Sequence, residues 1–106
     1  MNILIIQENG RHEKNRNFRE CFSLQKSFIK LEHECIVWGL GHDNYENSLD
    51  LNSFDVIINL ENYDQVGWVP DLKSISCKKY LWSIDAHVKG LAPYKQEFHR
   101  GGYTKI

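Results

Sequence analysis

Uninterrupted apolar runs alternate with polar stretches along most of the chain. Residues 2–7 read NILIIQ, residues 35–38 read CIVW, and residues 54–60 read FDVIINL. Apolar runs without alternating polar residues are typical of strands that a parallel sheet buries on both faces. A fourth run covers residues 79–84, and residues 103–106 resemble the start of a fifth strand. The pattern therefore predicts a parallel sheet of five strands.

The segment between the first two strands has the period of a helix. Apolar residues recur at spacings of three and four over residues 18–31, which predicts an amphipathic helix with one buried face. Asn17 precedes this segment and Glu20 follows three residues later, a pairing typical of a helix N-terminus. Shorter helical segments are predicted after Pro70 and over residues 94–100.

Strands that alternate with helices favour an α/β fold of three layers, in which a Rossmann-like parallel sheet lies between two helical layers. We expect a single domain over residues 1–106, with strand order 3-2-1-4-5. The chain ends inside the predicted fifth strand, and a doubly wound sheet usually closes with one more helix. We therefore expect a domain that is truncated after this strand. An open sheet edge favours pairing between copies, so a homodimer is one expected assembly.

The composition excludes several classes of protein. The chain has 13 Lys and Arg against 14 Asp and Glu, a net charge of −1, and 42% of its residues are hydrophobic. These values argue against a disordered chain and against a nucleic-acid binder that works through overall charge. The apolar runs are too short to cross a bilayer, and the N-terminus lacks the regions of a signal peptide. We therefore expect a cytoplasmic protein without a membrane span.

The three cysteines, Cys21, Cys35 and Cys77, are odd in number and show no C-x-x-C spacing. This pattern argues against a disulfide framework and against a structural zinc site. We expect all three to be small buried hydrophobes.

Polar side chains gather in the loops that follow strands one, three and four. The carboxyl ends of parallel strands share one edge of a sheet, where ligands bind, so these loops are expected to line a site for a small polar molecule. Basic side chains before a helix N-terminus suit a phosphate or carboxylate, and a carboxylate suits sugar hydroxyls. The predicted binding residues are Gly10, Arg11, Asn15 and Arg16 after strand one, and Asn59, Glu61 and Asn62 after strand three. The alternative is that these are solvated loop residues.

Asp85 and His87 follow the fourth strand and are the predicted catalytic residues. Either side chain could take a proton from a hydroxyl, or the carboxylate could position the imidazole as the base. The alternative is that Asp85 caps a turn and His87 hydrogen-bonds to it. No third ligand stands at a usable spacing, so we expect no metal site.

Several known motifs are missing from the sequence. Neither a Gly-rich dinucleotide fingerprint nor a G-x-x-x-x-G-K-[ST] loop follows a strand, and the loop ENGRHEKN after strand one is unlike the phosphate loop of a flavodoxin. No G-x-S-x-G nucleophile elbow is present either. These absences disfavour nicotinamide and flavin sites and nucleoside triphosphatases of the P-loop type.

The segments QENGRHEKNRNFRECFSLQKSFIKLEHECIVWGLG, FDVIINLENYD and YLWSIDAH resemble the N-terminal Rossmann-like domain of glycosyltransferases with the GT-B fold. The resemblance is closest to the family-four type and to the CgeB-like spore-maturation proteins, and it covers nearly the whole chain. The family usually has Gly before the His of the motif Leu-x-His-Glu. Glu32 stands there in this sequence, a departure from the pattern.

The resemblance implies an enzyme of two Rossmann-like domains, in which the N-terminal domain holds the sugar acceptor and the C-terminal domain binds the nucleotide sugar. It implies no metal and no cofactor, with the nucleotide sugar acting as co-substrate. Carried onto this chain, it makes Asp85 or His87 the general base and places Gly10, Arg11 and Asn15 beside the cleft. A chain without the donor domain is expected to be inactive. Two alternatives stay open: a flavodoxin-like module that binds a small ligand or a partner without catalysis, and a structural remnant of a longer protein.

Overall fold

A computed structural model describes residues 1–10, 14, 16–61, 67–83 and 92–104. Its strands are β1 (Asn2–Ile6), β2 (Glu34–Trp38), β3 (Val56–Leu60) and β4 (Lys78–Trp82). Two α-helices are described, α1 (Glu20–Lys30) and α2 (Ala92–Gly101), together with a 3₁₀ turn at Leu51–Ser53. The four strands form one all-parallel sheet, which confirms the predicted α/β class.

The strand order is β2-β1-β3-β4, so β1 lies between β2 and β3. Ile5 of β1 pairs with Val37 on one side and with Ile58 on the other. Residues Ile3 to Ile6 are at most 1% exposed, because helix or loop segments cover β1 on both faces. The unbroken apolar run at the N-terminus therefore forms a central strand, as predicted.

The predicted order 3-2-1-4-5 is corrected by this topology, because the strand over residues 54–60 pairs with β1 and not with β2. Two side-chain amides bind the outer edge of β2 instead. Gln25 Nε2 donates to the Cys35 carbonyl oxygen at 3.0 Å, and Asn44 Nδ2 donates to the Val37 carbonyl oxygen at 3.0 Å. These carbonyl groups would otherwise bind a neighbouring strand.

The fifth predicted strand is not confirmed. Tyr103 and Thr104 are outside any assigned strand, and residues 105–106 lie outside the described part of the chain. Thr104 nevertheless lies against β4. Its backbone N–H donates to the Lys79 carbonyl oxygen at 2.6 Å, and the Lys79 N–H donates to Thr104 Oγ1 at 3.1 Å.

The two faces of the sheet are covered to different extents. On one face, Leu4, Ile6 and Ile57 pack against the segment 67–77 and helix α2. On the other face, Ile3 and Ile5 pack against α1, which lies over β1 and β2. The cores contain these apolar side chains: Leu4, Ile6, Phe54, Ile57, Leu72, Ile75, Leu81, Tyr94 and Tyr103 on the first face, and Ile3, Ile5, Cys21, Cys35, Val37 and Leu60 on the second.

The cysteines behave largely as predicted. Cys21 and Cys35 are buried, and burial raises the pKa of each thiol to about 11. Cys77 is only partly buried, although burial also raises the pKa of its thiol. No group of three potential metal-ligating residues is found among the described residues.

Within the described ranges, no helix combines the length and the apolar character that crossing a membrane requires.

Candidate functional site

The sheet order places a crevice at the carboxyl ends of β1 and β3. The chain leaves β1 toward β2 on one side, while β3 lies on the other side of β1. In open α/β sheets, ligands bind where the connections diverge in this way. The residues that follow β1 and β3 therefore lie where a ligand is expected to bind.

Four polar side chains, which we call the carboxyl-edge cluster, meet at this crevice: Gln7, Arg19, Glu20 and Glu61. Gln7 follows β1 and is fully buried; its Nε2 lies 3.0 Å from Glu20 Oε2 and 3.4 Å from Glu61 Oε2. Arg19 donates from Nη2 to Glu61 Oε2, and its Nε lies 3.3 Å from Glu20 Oε2. Residues that are far apart in the sequence thus form one hydrogen-bonded group.

The cluster also occupies the N-terminus of helix α1. Gln7 Oε1 accepts a hydrogen bond of 3.0 Å from the Cys21 N–H, which satisfies one of the free donors of the first turn. Arg19, and not the predicted Asn17, is the N-cap residue. The carboxylates of Glu20 and Glu61 lie where the helix dipole favours negative charge. A bound phosphate would be repelled by these carboxylates, so the cluster suits ligands that donate hydrogen bonds to carboxylate oxygens.

The ionisation of Glu20 reflects this environment. Burial alone would raise the pKa of its carboxyl group. The hydrogen bonds from its own backbone N–H and from Gln7, together with the charge of Arg19, outweigh burial and hold the pKa below its ordinary value of 4.5. Glu20 is therefore a carboxylate, and a hydrogen-bond acceptor, at neutral pH.

Glu61 begins the loop after β3 with a left-handed backbone (φ 74°). Its N–H donates to the Trp82 carbonyl oxygen at 2.7 Å, so the residue also continues the pairing between β3 and β4. A left-handed conformation costs a residue other than Gly about 1 kcal/mol. The side-chain bonds to Arg19 and Gln7 compensate for this strain and hold the carboxylate at the crevice.

The predicted binding residues fall into different environments. Gly10 is buried, with its N–H donating to Asn9 Oδ1 at 2.9 Å, and Arg16 is exposed. Asn59 is fully buried, so its side chain lies in the interior and not on the surface of the crevice. The remaining predicted residues, Arg11, Asn15, Asn62, Asp85 and His87, lie outside the described residues.

Asn59 belongs to a second polar group, the interior network, which comprises Asn59, Tyr103, Glu97 and Arg100. Asn59 Nδ2 donates to the Tyr103 hydroxyl at 2.8 Å, and this hydroxyl donates to Glu97 Oε1 at 3.1 Å. Arg100 binds both oxygens of Glu97 at 2.7 Å. Burial is the main cause of a strong rise in the pKa of Tyr103. The network joins helix α2 to β3.

A groove of about 430 Å³ opens beside the carboxyl-edge cluster. One wall is the exposed side of α1, and the other is formed by β3 and β4. Trp82 is 57% exposed, a large apolar surface beside the Glu20 carboxylate. The lining residues of this groove, which we call the Trp82 groove, are Glu20, Ser23, Leu24, Ser27, Leu60 and Trp82.

His42 is a potential functional residue that the sequence analysis did not single out. Its Nε2 lies 2.7 Å from the Gln7 carbonyl oxygen, and its ring meets the edge of the Phe22 ring at 5.4 Å. Gly39 permits this approach, because a Cβ atom there would lie 2.4 Å from the Gln7 carbonyl oxygen. The sequence signal for His42 was its position four residues after the end of β2, since that strand also ends at the carboxyl edge.

Burial is the main influence on His42, and it lowers the pKa of the imidazole below its ordinary value of 6.5. The hydrogen bond to Gln7 and the charge of Asp43 act in the opposite direction, and Arg19 adds to the lowering. Since a carbonyl oxygen can only accept, Nε2 carries the proton, and Nδ1 of the neutral ring has a lone pair.

Comparisons of this chain with models of protein families, with curated proteins and with solved structures give no match.

Proposed function

We propose that this chain binds the sugar acceptor of a glycosyl-transfer reaction at the carboxyl edge of its sheet, as the acceptor-side domain of a glycosyltransferase. The observation that supports the proposal best is the position of an exposed Trp82 beside the Glu20 carboxylate in a groove of about 430 Å³. A pyranose has an apolar face of C–H groups and a rim of hydroxyl donors. An aromatic surface next to carboxylate acceptors matches both features.

In this proposal, each wall of the Trp82 groove has a separate role. Trp82 covers the apolar face of the sugar ring, and Glu20 accepts a hydrogen bond from a ring hydroxyl. Arg19 and Gln7 hold the carboxylate of Glu20 in place. Transfer itself requires a nucleotide sugar, which a second domain would bind, as the resemblance to GT-B enzymes implies. Acceptor binding by this chain is therefore the step that we test.

The experiment is a titration of the ¹⁵N-labelled chain with glucose, galactose and N-acetylglucosamine, monitored by the indole N–H signal of Trp82. We expect at least one pyranose to shift this signal with a Kd of about 1 mM, or about −4 kcal/mol. Glycerol offers hydroxyls without a ring face, so it should not shift the signal at the same concentration.

Two Trp82 variants and one control test the role of the aromatic ring. Covering about 50 Å² of apolar sugar surface contributes about 1.3 kcal/mol, so Trp82→Ala should weaken binding about tenfold. Trp82→Phe keeps an aromatic face and should retain most of the affinity. Ile36→Ala removes an exposed apolar side chain from β2, away from the groove, and should leave affinity unchanged. The proposal fails if no pyranose shifts the Trp82 signal, or if Ile36→Ala weakens binding as much as Trp82→Ala.

A further inference from the structure

A second cleft, of about 270 Å³, lies between helix α1 and the turn that follows β2. It differs from the Trp82 groove because most of its wall is polar. We call it the His42 cleft, and its lining residues are Asn9, Asn17, Phe22, Gln25, Val37, His42, Asp43 and Asn44. Val37 of β2 and Asn9, which follows β1, belong to this lining, so the cleft lies at the ligand-binding edge of the sheet.

Three of the four side-chain amides in the cleft wall already donate hydrogen bonds within the protein. Asn9 Nδ2 lies 3.3 Å from Asn17 Oδ1, and Gln25 and Asn44 donate to carbonyl groups of β2. The wall therefore offers few free donors to a ligand.

Two hydrogen-bond acceptors in the same wall, His42 Nδ1 and Asn44 Oδ1, receive no hydrogen bond from the described residues. His42 Nδ1 carries a lone pair, because Nε2–H donates to the Gln7 carbonyl oxygen. The buried Asn44 Oδ1 has no hydrogen-bond partner among the described residues. Asp43 adds an exposed carboxylate to the rim. A buried acceptor without a donor costs free energy, and a ligand that donates hydrogen bonds would recover it.

The charge of the side chains that line the His42 cleft indicates which class of ligand it can bind. Asp43 is the one charged side chain among the described lining residues, while His42 is neutral because its pKa lies below 6.5. The described wall thus combines one negative charge with acceptors. This set complements a positively charged group that carries several N–H donors.

We propose that the His42 cleft binds a small organic cation with N–H donors, such as a primary ammonium or a guanidinium group. His42 Nδ1 and the Asp43 carboxylate accept its hydrogen bonds, and the edge of Phe22 packs against its apolar part. The site is separate from the Trp82 groove and does not depend on sugar binding there.

The test is a titration of the ¹⁵N-labelled full chain with methylguanidinium and with n-butylammonium, using n-butanol as the neutral counterpart. We expect one or both cations to shift the backbone signals of residues 42–44 and the ¹⁵Nδ1 signal of His42, with a Kd of about 1 mM. Butanol should leave these signals in place. The Trp82 indole signal, which reports the sugar site, should not respond to the cations.

Three variants separate specific binding from general attraction. His42→Gln can keep a donor to the Gln7 carbonyl oxygen but lacks the lone pair of Nδ1, and Asp43→Asn removes the negative charge; each should weaken cation binding about tenfold. Glu46→Gln removes an exposed carboxylate from the same turn outside the cleft wall and should leave affinity unchanged. A far-ultraviolet circular dichroism spectrum confirms that each variant is folded.

Three results would overturn the proposal. The first is the absence of a shift at residues 42–44 with either cation. The second is equal binding of butanol. The third is a loss of affinity in Glu46→Gln that matches the loss in Asp43→Asn, because this would indicate that the cations respond to the overall charge of the turn.

Discussion

Two arginine–glutamate pairs in this protein have the same chemistry but different surroundings. In the interior network, the Glu97 side chain is 0% exposed and Arg100 is 24% exposed. In the carboxyl-edge cluster, Glu61 is 18% exposed and Arg19 is 26% exposed. Arg100 binds both oxygens of Glu97, whereas Arg19 divides its donors between Glu61 and Glu20. The carboxylate of the first pair is fully buried, whereas the carboxylate of the second pair is partly exposed at the crevice.

The comparison shows that an ion pair has to be interpreted from its surroundings. The carboxylate of Glu97 is enclosed by the Tyr103 hydroxyl and by the core around helix α2, so its role is to hold the structure together. The Arg19–Glu61 pair adjoins the Trp82 groove through Glu20. Its role is to hold acceptor groups at the site where we propose that a ligand binds.

The largest predicted difference between the two pairs is in stability. Arg100→Ala leaves the buried Glu97 carboxylate without its main partner, so the free energy of unfolding should fall by about 3 kcal/mol. Arg19→Ala affects groups that water can reach and should cost about 1 kcal/mol or less. Urea unfolding of both variants measures the difference. Equal losses of unfolding free energy in the two variants would show that the two ion pairs contribute equally to stability.

The Tyr103 hydroxyl gives a second, smaller test of the interior network. Tyr103→Phe removes the donor to Glu97 and the acceptor for Asn59, so the free energy of unfolding should fall by about 1–2 kcal/mol. Tyr45→Phe is the matched control, because the Tyr45 hydroxyl has no hydrogen bond within the described ranges of the chain. If Tyr45→Phe is as destabilising in urea as Tyr103→Phe, the network is not the source of the effect.

The smallest predicted effect is the pH dependence of the carboxyl-edge cluster. The pKa of Glu20 is below 4.5 in the folded chain, so the unfolded chain binds its proton at a higher pH. The stability that Glu20 contributes is present above pH 4.5 and is lost as pH falls through the folded pKa. Since the Glu20 side chain is 58% exposed, the effect should be shallow.

Glu20→Gln removes this titration and should flatten the fall in unfolding free energy on the acid side of pH 4.5. Urea unfolding at a series of pH values measures it, with Glu46→Gln as an exposed control. Identical pH dependence in the parent chain and in Glu20→Gln would show that the cluster does not stabilise the ionised form of Glu20.

Much of the fold could be predicted, because buried strands leave a strong local signal. The run at residues 3–6 is apolar at every position, and this is sufficient to predict a strand covered on both faces. The order of the strands leaves no such signal, because the pairing of β3 with β1 joins segments that are far apart in the sequence. The amides of Gln25 and Asn44 bind the outer edge of β2, and nothing in a local pattern indicates that they do so.

The candidate site was predictable in position but not in composition. Glu61 was identified because it directly follows a buried strand, and the carboxyl ends of parallel strands converge. Gln7 and Arg19 were not identified, since their roles come from contacts with Glu61 across 54 and 42 residues of sequence. Asn59 precedes Glu61 by two positions but is buried within the interior network.

By itself, the sequence determined the α/β class, the central position of β1 and the edge of the sheet where polar groups gather. These properties follow from the local alternation of apolar and polar residues, which fixes which faces must be buried. The tertiary structure alone decided the strand order, the partners of each carboxylate and the tautomer of His42. These three properties depend on which residues, distant in the sequence, come within hydrogen-bonding distance once the apolar faces have packed. A pattern of neighbouring residues does not indicate such contacts.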